Sequence, residues 1–340
     1  MHPAPPATAT TLPLARAINA GLRAALTHDP TVLVMGEDVG PLGGVFRVTD
    51  GLQAEFGADR VVDTPLAESG IVGTAVGLAM AGYRPVVEIQ FDGFIFPSYN
   101  QITTQLAKLS YRTSGALSMP VVVRVPYGGH IGAIEHHSES PESLFAHTAG
   151  LRIVSPANAA DGYAMIQQAI ASPDPVLFLE PKARYWEKGP VELDAPVDLS
   201  PGALTNDLHA ARVVRPGTDL TIATYGPGVK VALQAAEVAE QEGSSLEVID
   251  LRSISPLDVD AVAASVHRTG RLVVVHEAPT FFGPGAELAA AVQERCFYEL
   301  EAPVLRVGGY HTPYPASTHE SVYLPSLDRI LDAVERSLAA

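Results

Sequence analysis

Short runs that are apolar on both faces, such as Val121–Val123 and Leu272–Val275, alternate along this chain with segments of helical period. A strand that is apolar on both faces has to be covered on both, which means a parallel sheet sandwiched between helices. Strands are predicted at Val32–Met35, Val86–Phe91, Val121–Val125, Leu151–Val154 and Val176–Leu179. Helices are predicted at Leu14–Leu26, Ser69–Ala81, Pro97–Tyr111, Pro141–His147 and Asn158–Ala171. After an aperiodic stretch containing Pro190, Pro196 and Pro201, a second series begins. It places strands at Leu220–Tyr225, Leu246–Leu251, Leu272–His276 and Val304–Val307, with helices at Val229–Gln241, Leu257–Arg268 and Gly285–Tyr298. The expected fold class is therefore α/β, two parallel-sheet domains with helices on both faces. The expected division is a flexible tail over 1–10, a first domain over 11–187, a linker over 188–209 and a second domain over 210–340.

A length of 340 residues also favours two domains. The formal net charge of −16 would repel a phosphate backbone, so nucleic acid is not expected as a partner. The single cysteine, Cys296, cannot form an intrachain disulfide. Together with an N-terminal stretch that lacks a basic and an apolar region, it leads to the expectation of a cytoplasmic protein. The longest apolar runs are far short of a membrane span. No repeat of 20–50 residues is visible, which excludes solenoids and propellers.

In parallel sheets, functional groups gather at the carboxyl ends of strands. The segment Met35–Arg47 ends a strand with Glu37 and Asp38 and continues through Gly43-Gly44. It has no Walker-type lysine, and a surface turn with solvated acids is its other reading. Asp63–Gly73 places Glu68 at a helix start, beside a face left bare by Gly70, Gly73 and Gly77. That face admits a neighbouring helix or a flat ligand, and Glu68 alone would also suit the helix dipole. Arg124–Ser140 carries His130, His136 and His137 with Glu135 and Glu139. The spacing is not that of a zinc site. A loop histidine with an unperturbed pKa of about 6.5 suits proton transfer, with a solvated loop as the alternative. Gly226-Pro227-Gly228 and Asp250 imitate a dinucleotide site, but Val231 stands where its third glycine belongs, and the other reading is an anion site at a helix terminus or plain structure.

Seven segments in order resemble the beta subunits of thiamine-diphosphate-dependent 2-oxo acid dehydrogenases, a transketolase-like family. They are GEDVGPLGGVFR (36–47), DTPLAESGIVG (63–73), EIQFDGFIFPSYNQI (88–102), HHSESPESLFAHTAGLRIVSP (136–156), LEPKARYW (179–186), VIDLRSISPLD (248–258) and HEAP (276–279). GPLGGVFR, the EIQF…IFP pattern and the EPK–Tyr spacing look more like the branched-chain type than the pyruvate type. The resemblance implies a pyrimidine-binding domain followed by a transketolase-type C-terminal domain. It also implies thiamine diphosphate as cofactor, with the diphosphate and Mg²⁺ held by an alpha subunit through a GDG motif that this sequence lacks. The partners it implies are that alpha subunit, in an α₂β₂ heterotetramer, and a lipoyl acyltransferase component. Glu68 matches the family glutamate that binds the aminopyrimidine, Phe94 the aromatic stacked on it, and His137 the histidine credited with proton transfer to lipoamide. A monovalent cation such as K⁺ is often held in the family by backbone carbonyls, matched here by Met119, Val121, Val122, Ala169, Ser172 and Asp174.

Some positions depart from the family pattern. Glu139 stands for a common glutamine and would favour a protonated His137 if the two lie close. Asp92-Gly93 stands for a common Ala-Asp, and His311 for a common aspartate. A pyruvate or acetoin dehydrogenase beta subunit is the nearest alternative. A non-catalytic assembly homologue and a nicotinamide-binding oxidoreductase are the readings from other classes.

Overall fold

The computed structural model describes residues 9–194, 197, 199 and 208–340. Residues 1–8 of the tail expected over 1–10, and most of the linker beyond Asp194, lie outside the described residues, while Thr10, expected as tail, begins strand β1. In chain order the first half contains β1 (Thr10–Pro13), α1 (Leu14–His28), β2 (Val32–Gly36), α2 (Leu52–Phe56), β3 (Val61–Asp63), α3 (Glu68–Met80) and β4 (Arg84–Glu88). It continues through α4 (Ala107–Arg112), β5 (Val122–Tyr127), α5 (Glu142–Ala146), β6 (Arg152–Val154), α6 (Ala159–Ala171), β7 (Val176–Pro181) and β8 (Lys188–Val191). The second half contains β9 (Arg212–Arg215), β10 (Leu220–Thr224), α7 (Gly228–Gln241), β11 (Leu246–Asp250), β12 (Ser253–Ser255), α8 (Val259–Thr269), β13 (Leu272–Pro279), α9 (Pro284–Arg295) and β14 (Leu305–Gly309). Two further helices follow, α10 (Glu320–Tyr323) and α11 (Leu327–Leu338).

The apolar strands form two separate sheets, as their double-faced hydrophobicity requires. One has the order β12-β6-β7-β5-β4-β2-β3 and the other β14-β13-β10-β11-β9. All ladders are parallel except the edges: β12 runs antiparallel to β6, and β9 antiparallel to β11. Val87, Val123 and Leu177 face one helical layer with Ile71, Ala75 and Leu106. Val86, Val122 and Phe178 face the other, with Ile18, Leu22 and Ile166 of α1 and α6. Among the described residues no helix is long and apolar enough to cross a membrane.

The two halves are knitted together more tightly than a linker-joined pair. Strand β12 belongs by sequence to the second series but completes the edge of the first sheet. One apolar cluster runs from Phe145, Leu151 and Ile153 through Tyr225, Leu251 and Ile254 to Val274 and Leu288. Glu277 accepts a hydrogen bond from the Gly129 amide at 2.9 Å. Gly226 packs so close to Tyr127 and Ser155 that an added Cβ would lie 2.4 Å from the Tyr127 hydroxyl. The glycine loop that imitated a dinucleotide site therefore serves interdomain packing.

Three expectations need correction. The helix predicted over Pro97–Tyr111 is a 3-10 turn at Asp92–Ser98, a π-helical turn at Gln101–Leu106 and α-helix only from Ala107. Pro97 has no N–H to give, and Ile102, Thr103 and Thr104 crowd an α-helical turn, so the segment winds irregularly. The strand predicted over Val86–Phe91 leaves the sheet after Glu88. The stretch at 188–191, expected as linker, is a strand paired antiparallel with β1. Helix α11 was not anticipated, although Leu327, Ile330, Leu331 and Val334 have the spacing of one buried stripe.

The junction holds a titratable group with a predictable effect. Glu142 on α5 is fully buried and accepts a 2.5 Å hydrogen bond from the Tyr225 hydroxyl of the second half. Burial, opposed by that hydrogen bond, pushes its carboxyl from an ordinary 4.5 up to about 7. A carboxyl raised in the folded state contributes stability that is fully present below its unfolded pKa and lost as pH rises through the folded one. Glu142→Gln, a neutral mimic of the protonated acid, should therefore match the wild type near pH 4.5. It should exceed it above pH 7 by about 2–3 kcal/mol, read from urea unfolding at both pH values. Equal stabilities at pH 8 would contradict the assignment.

Candidate functional site

A buried charge network lies on β4, β5 and β7 of the first sheet. Arg124, opposite Glu88 in the β4–β5 ladder, is fully buried. Its Nη1 donates to Glu88 at 2.6 Å, and its Nε and Nη2 donate to Glu180 at 2.6 and 3.0 Å. The Tyr185 hydroxyl donates to the same Glu180 at 2.6 Å. Burial disfavours the guanidinium charge, yet the two carboxylates hold it protonated, above its ordinary value. Burial also pushes the Glu88 carboxyl up, with Arg124 opposing. The bidentate arm to Glu180 fixes orientation as well as charge, locking three adjacent strand ends.

A second buried pair lies just beyond. Lys182 Nζ stands 2.5 Å from Asp92 Oδ1, and both side chains are excluded from solvent. Burial pushes Asp92 up and Lys182 down, each toward its neutral form, and the contact between them opposes both shifts. The other Asp92 oxygen accepts the Glu139 amide at 2.8 Å, which ties the histidine loop to this pair. A Cβ on Gly93 would lie 2.6 Å from the His136 carbonyl, so only a bare residue lets the loop settle here. The Asp92-Gly93 departure thus has a physical reason: the carboxylate binds the loop and the glycine makes room for it.

The loop held in this way places His137 among aromatic rings. Its imidazole centroid is 4.1 Å from that of Phe91 and 5.2 Å from that of Phe94, both edge-on. Phe46 and Tyr185 extend the aromatic wall. His137 is half-buried, whereas its neighbour His136 is largely exposed and faces Glu135 at 3.6 Å. The adjacent histidines are therefore not interchangeable. The charges acting on Glu139 come from Asp92, Glu135 and His136, while burial raises its carboxyl.

Glu68 is the first residue of α3 and is half-buried. The 3-10 turn carrying Phe94 packs against this helix. Burial pushes Glu37 at the end of β2 up, and the charges of Asp38 and Glu68 push it further. Glu37-Asp38 and Glu68, which come from two separate segments, thus form one acidic edge. The bare face of α3 remains open: a Cβ on Gly77 would meet nothing within 4 Å, and one on Gly73 only Gln101 at 3.8 Å. Among the described residues nothing requires those glycines to be small, so the face suits a flat ligand or a neighbouring chain. Among the described residues no three His, Cys, Asp or Glu side chains gather as a metal site. His311 lies elsewhere, stacked on Phe281 at 4.3 Å in the second half.

The carbonyls matched to a monovalent cation already take part in hydrogen bonds within the chain. Those of Met119, Val121 and Ala169 accept the amides of Val121, Val176 and Ser172 at 2.8, 2.9 and 3.3 Å. Val122 is paired in the β5 ladders, and the Asp174 carbonyl accepts the Ser172 hydroxyl at 3.1 Å. The Ser172 carbonyl faces Arg84 Nη1 at 3.4 Å.

Sequence reasoning did not single out Arg124 or Lys182 as parts of the site. The available signal was a charged residue inside or directly after an apolar strand, where an unpaired charge would not be tolerated.

Comparisons with known proteins agree with this geometry. The transketolase pyrimidine-binding domain matches residues 11–187, and the transketolase C-terminal domain matches residues 209–330. The chain is 64% identical over 329 residues to the pyruvate dehydrogenase E1 component subunit beta of Leifsonia xyli, covering 96% of this chain and 95% of that protein. It is 54% identical to the 3-methyl-2-oxobutanoate dehydrogenase subunit beta of Mycobacterium tuberculosis, covering 96% and 92%. In fold it is similar to a solved split-gene transketolase described as an inactive beta4 tetramer, with TM-score 0.76 and 22% identity over 96% of this chain and 98% of the other.

The Lys182–Asp92 pair can be tested by a mutant cycle. Lys182→Met should destabilise the chain by about 3–5 kcal/mol, because it strands a buried carboxylate. Adding Asp92→Asn should restore much of that loss, since the amide is neutral and can still accept the Glu139 amide. Urea midpoints of the two single variants and the double variant check this, and simple additivity would show that the pair is not coupled.

Proposed function

The chain belongs to the beta subunits of 2-oxo acid dehydrogenases, thiamine-dependent enzymes of transketolase-like fold, and on that premise we propose that it supplies half of an active site for branched 2-oxo acids. The observation that carries this reading is the shared edge on which Glu68, Phe94 and His137 lie, at the carboxyl ends of the first sheet's strands. A non-catalytic assembly homologue would have no need for all three. The branched-chain preference rests on the GPLGGVFR, EIQF…IFP and EPK–Tyr motifs, and on the relative described as a 3-methyl-2-oxobutanoate dehydrogenase subunit. The Leifsonia relative favours a second reading, pyruvate.

The residues fit the cofactor's aminopyrimidine: a half-buried carboxylate at a helix start, a helix face without side chains, and an aromatic ring on the turn packed against that helix. When bound, thiamine diphosphate would supply the reactive thiazolium carbon and the electron sink for decarboxylation. Glu68 would hold a proton at N1′ of the aminopyrimidine, and Phe94 would orient the ring. His137, held by the Phe91 and Phe94 rings, would deliver a proton to the sulfur released when the dithiolane of a lipoyl group opens. The diphosphate and its Mg²⁺ fall to an alpha subunit, because this sequence has no GDG motif. A lipoyl acyltransferase component is the acceptor partner in this reading. The lone, buried Cys296 thiol suits a reducing, cytoplasmic setting.

Assaying this chain alone, an alpha chain alone and the two mixed tests the divided site. Turnover of 3-methyl-2-oxobutanoate is expected only in the mixture, and turnover by this chain alone would overturn the proposal. A higher kcat/KM for pyruvate would transfer the assignment to the second reading.

The two half-reactions should also separate by mutation. His137→Ala, assembled with the alpha chain, should keep much of its decarboxylation with an artificial electron acceptor. Its acylation of a lipoyl domain should fall by about 10²–10⁴-fold, the usual worth of a positioned general acid. His136→Ala, whose ring faces Glu135, should acylate at the wild-type rate. If the two variants behave alike, the proton donor is wrongly assigned.

A further inference from the structure

Helix α6 ends at Ala171, and its last carbonyls carry the negative end of the helix dipole with no partners inside the helix. A cation is the natural partner for such a terminus. Here a guanidinium reaches it: Arg84 Nη1 donates to the Ile170 carbonyl at 2.8 Å and faces the Ser172 carbonyl at 3.4 Å. Arg84 is held in place from three sides. It is the first residue of β4, its amide donates to the Thr31 carbonyl at 2.9 Å, and its Nε stands 3.6 Å from Asp29. The other negative group nearby, the Asp174 carboxylate, receives Nε and Nη2 of Arg152 at 3.1 and 2.9 Å.

These carbonyls do not fit the monovalent ion that the family resemblance implies. An ion coordinated by the Ser172 carbonyl would share that oxygen with the Arg84 guanidinium. It would have to be stripped of water against a fixed positive charge, and that repulsion is what opposes it, since the carbonyls of Met119, Val121 and Ala169 each accept one amide and keep a second lone pair. We infer that Arg84 is the resident cation of this junction, so that the helix end is neutralised by one of the chain's own side chains and the chain takes up no K⁺ there. Arginine suits the task because its charge does not titrate and its planar fork can address two carbonyls at once. The inference concerns stability of the fold and does not depend on the reaction proposed above.

Thermal unfolding of the full chain in potassium, sodium and choline chloride at equal ionic strength tests it. The wild type should melt at the same temperature in all three salts. A saturable rise in Tm with K⁺, absent in choline, would overturn the inference. Arg84→Met should melt several degrees lower in choline and recover part of the loss in K⁺, which can then enter the vacated carbonyl shell. An Arg84→Met chain that melts like the wild type in every salt would equally overturn it. Should that variant fail to fold, the salt series on the wild type decides the matter alone.

Discussion

Two carboxylates cannot be buried on the strands either side of β5 without a cation between them, and Arg124 is that cation. Its guanidinium joins Glu88 of β4 to Glu180 of β7 across its own strand, β5, which lies between them. The segments that leave these strands inherit the arrangement. Beyond Glu88 the chain turns out of the sheet toward Phe91, Asp92 and Phe94; beyond Glu180 it presents Lys182 to Asp92. Asp92 in turn captures the histidine loop through the Glu139 amide. The orientation of His137 is thus the last step of a chain of buried electrostatic contacts that begins inside the sheet. Such networks are demanding because removing one member leaves a charge stranded in a low-dielectric interior.

The second half of the molecule bears on the same edge from below. Glu277, in the HEAP segment at the end of β13, receives the Gly129 amide and the His130 imidazole, and its hydrogen bond holds His130 above its usual range. Tyr225 reaches Glu142 one turn after the histidine loop. Strand β12 closes the edge of the first sheet beside β6. The loop carrying His137 is therefore clamped between an aspartate–lysine pair of one half and a glutamate of the other. The proton-donor role proposed for His137 would need this kind of support, because small misplacements of a reacting group cost rate steeply.

Periodicity made most of the strands and the long helices legible, since β2, β5, β7, β10, β11 and β13 are apolar on both faces and short. It failed where burial was not the organising force. The Asp92–Leu106 segment looks helical by hydrophobic spacing, but Pro97 and its β-branched followers break it into 3-10 and π turns. β12 is three residues long and acquires its strand character only from β6 beside it. Glu68, Phe94 and His137, the residues proposed for the site, are singled out by their motifs. Arg124, Lys182 and Arg84 are not, because their roles are set by partners 36 to 90 residues away in sequence.

By itself, then, the sequence determined an α/β protein of two parallel sheets, the beta-subunit family it belongs to, and the residue types that gather at strand ends. These follow from local quantities: the period of apolar residues, the turn residues between them and the order of short motifs. Only the tertiary structure decided which acids share a guanidinium, why Gly93 must be bare, which of two adjacent histidines lies among aromatic rings, and which cation ends α6. Those outcomes depend on distances between residues far apart in the chain, and a charge's effect is set by what it touches once water has been removed.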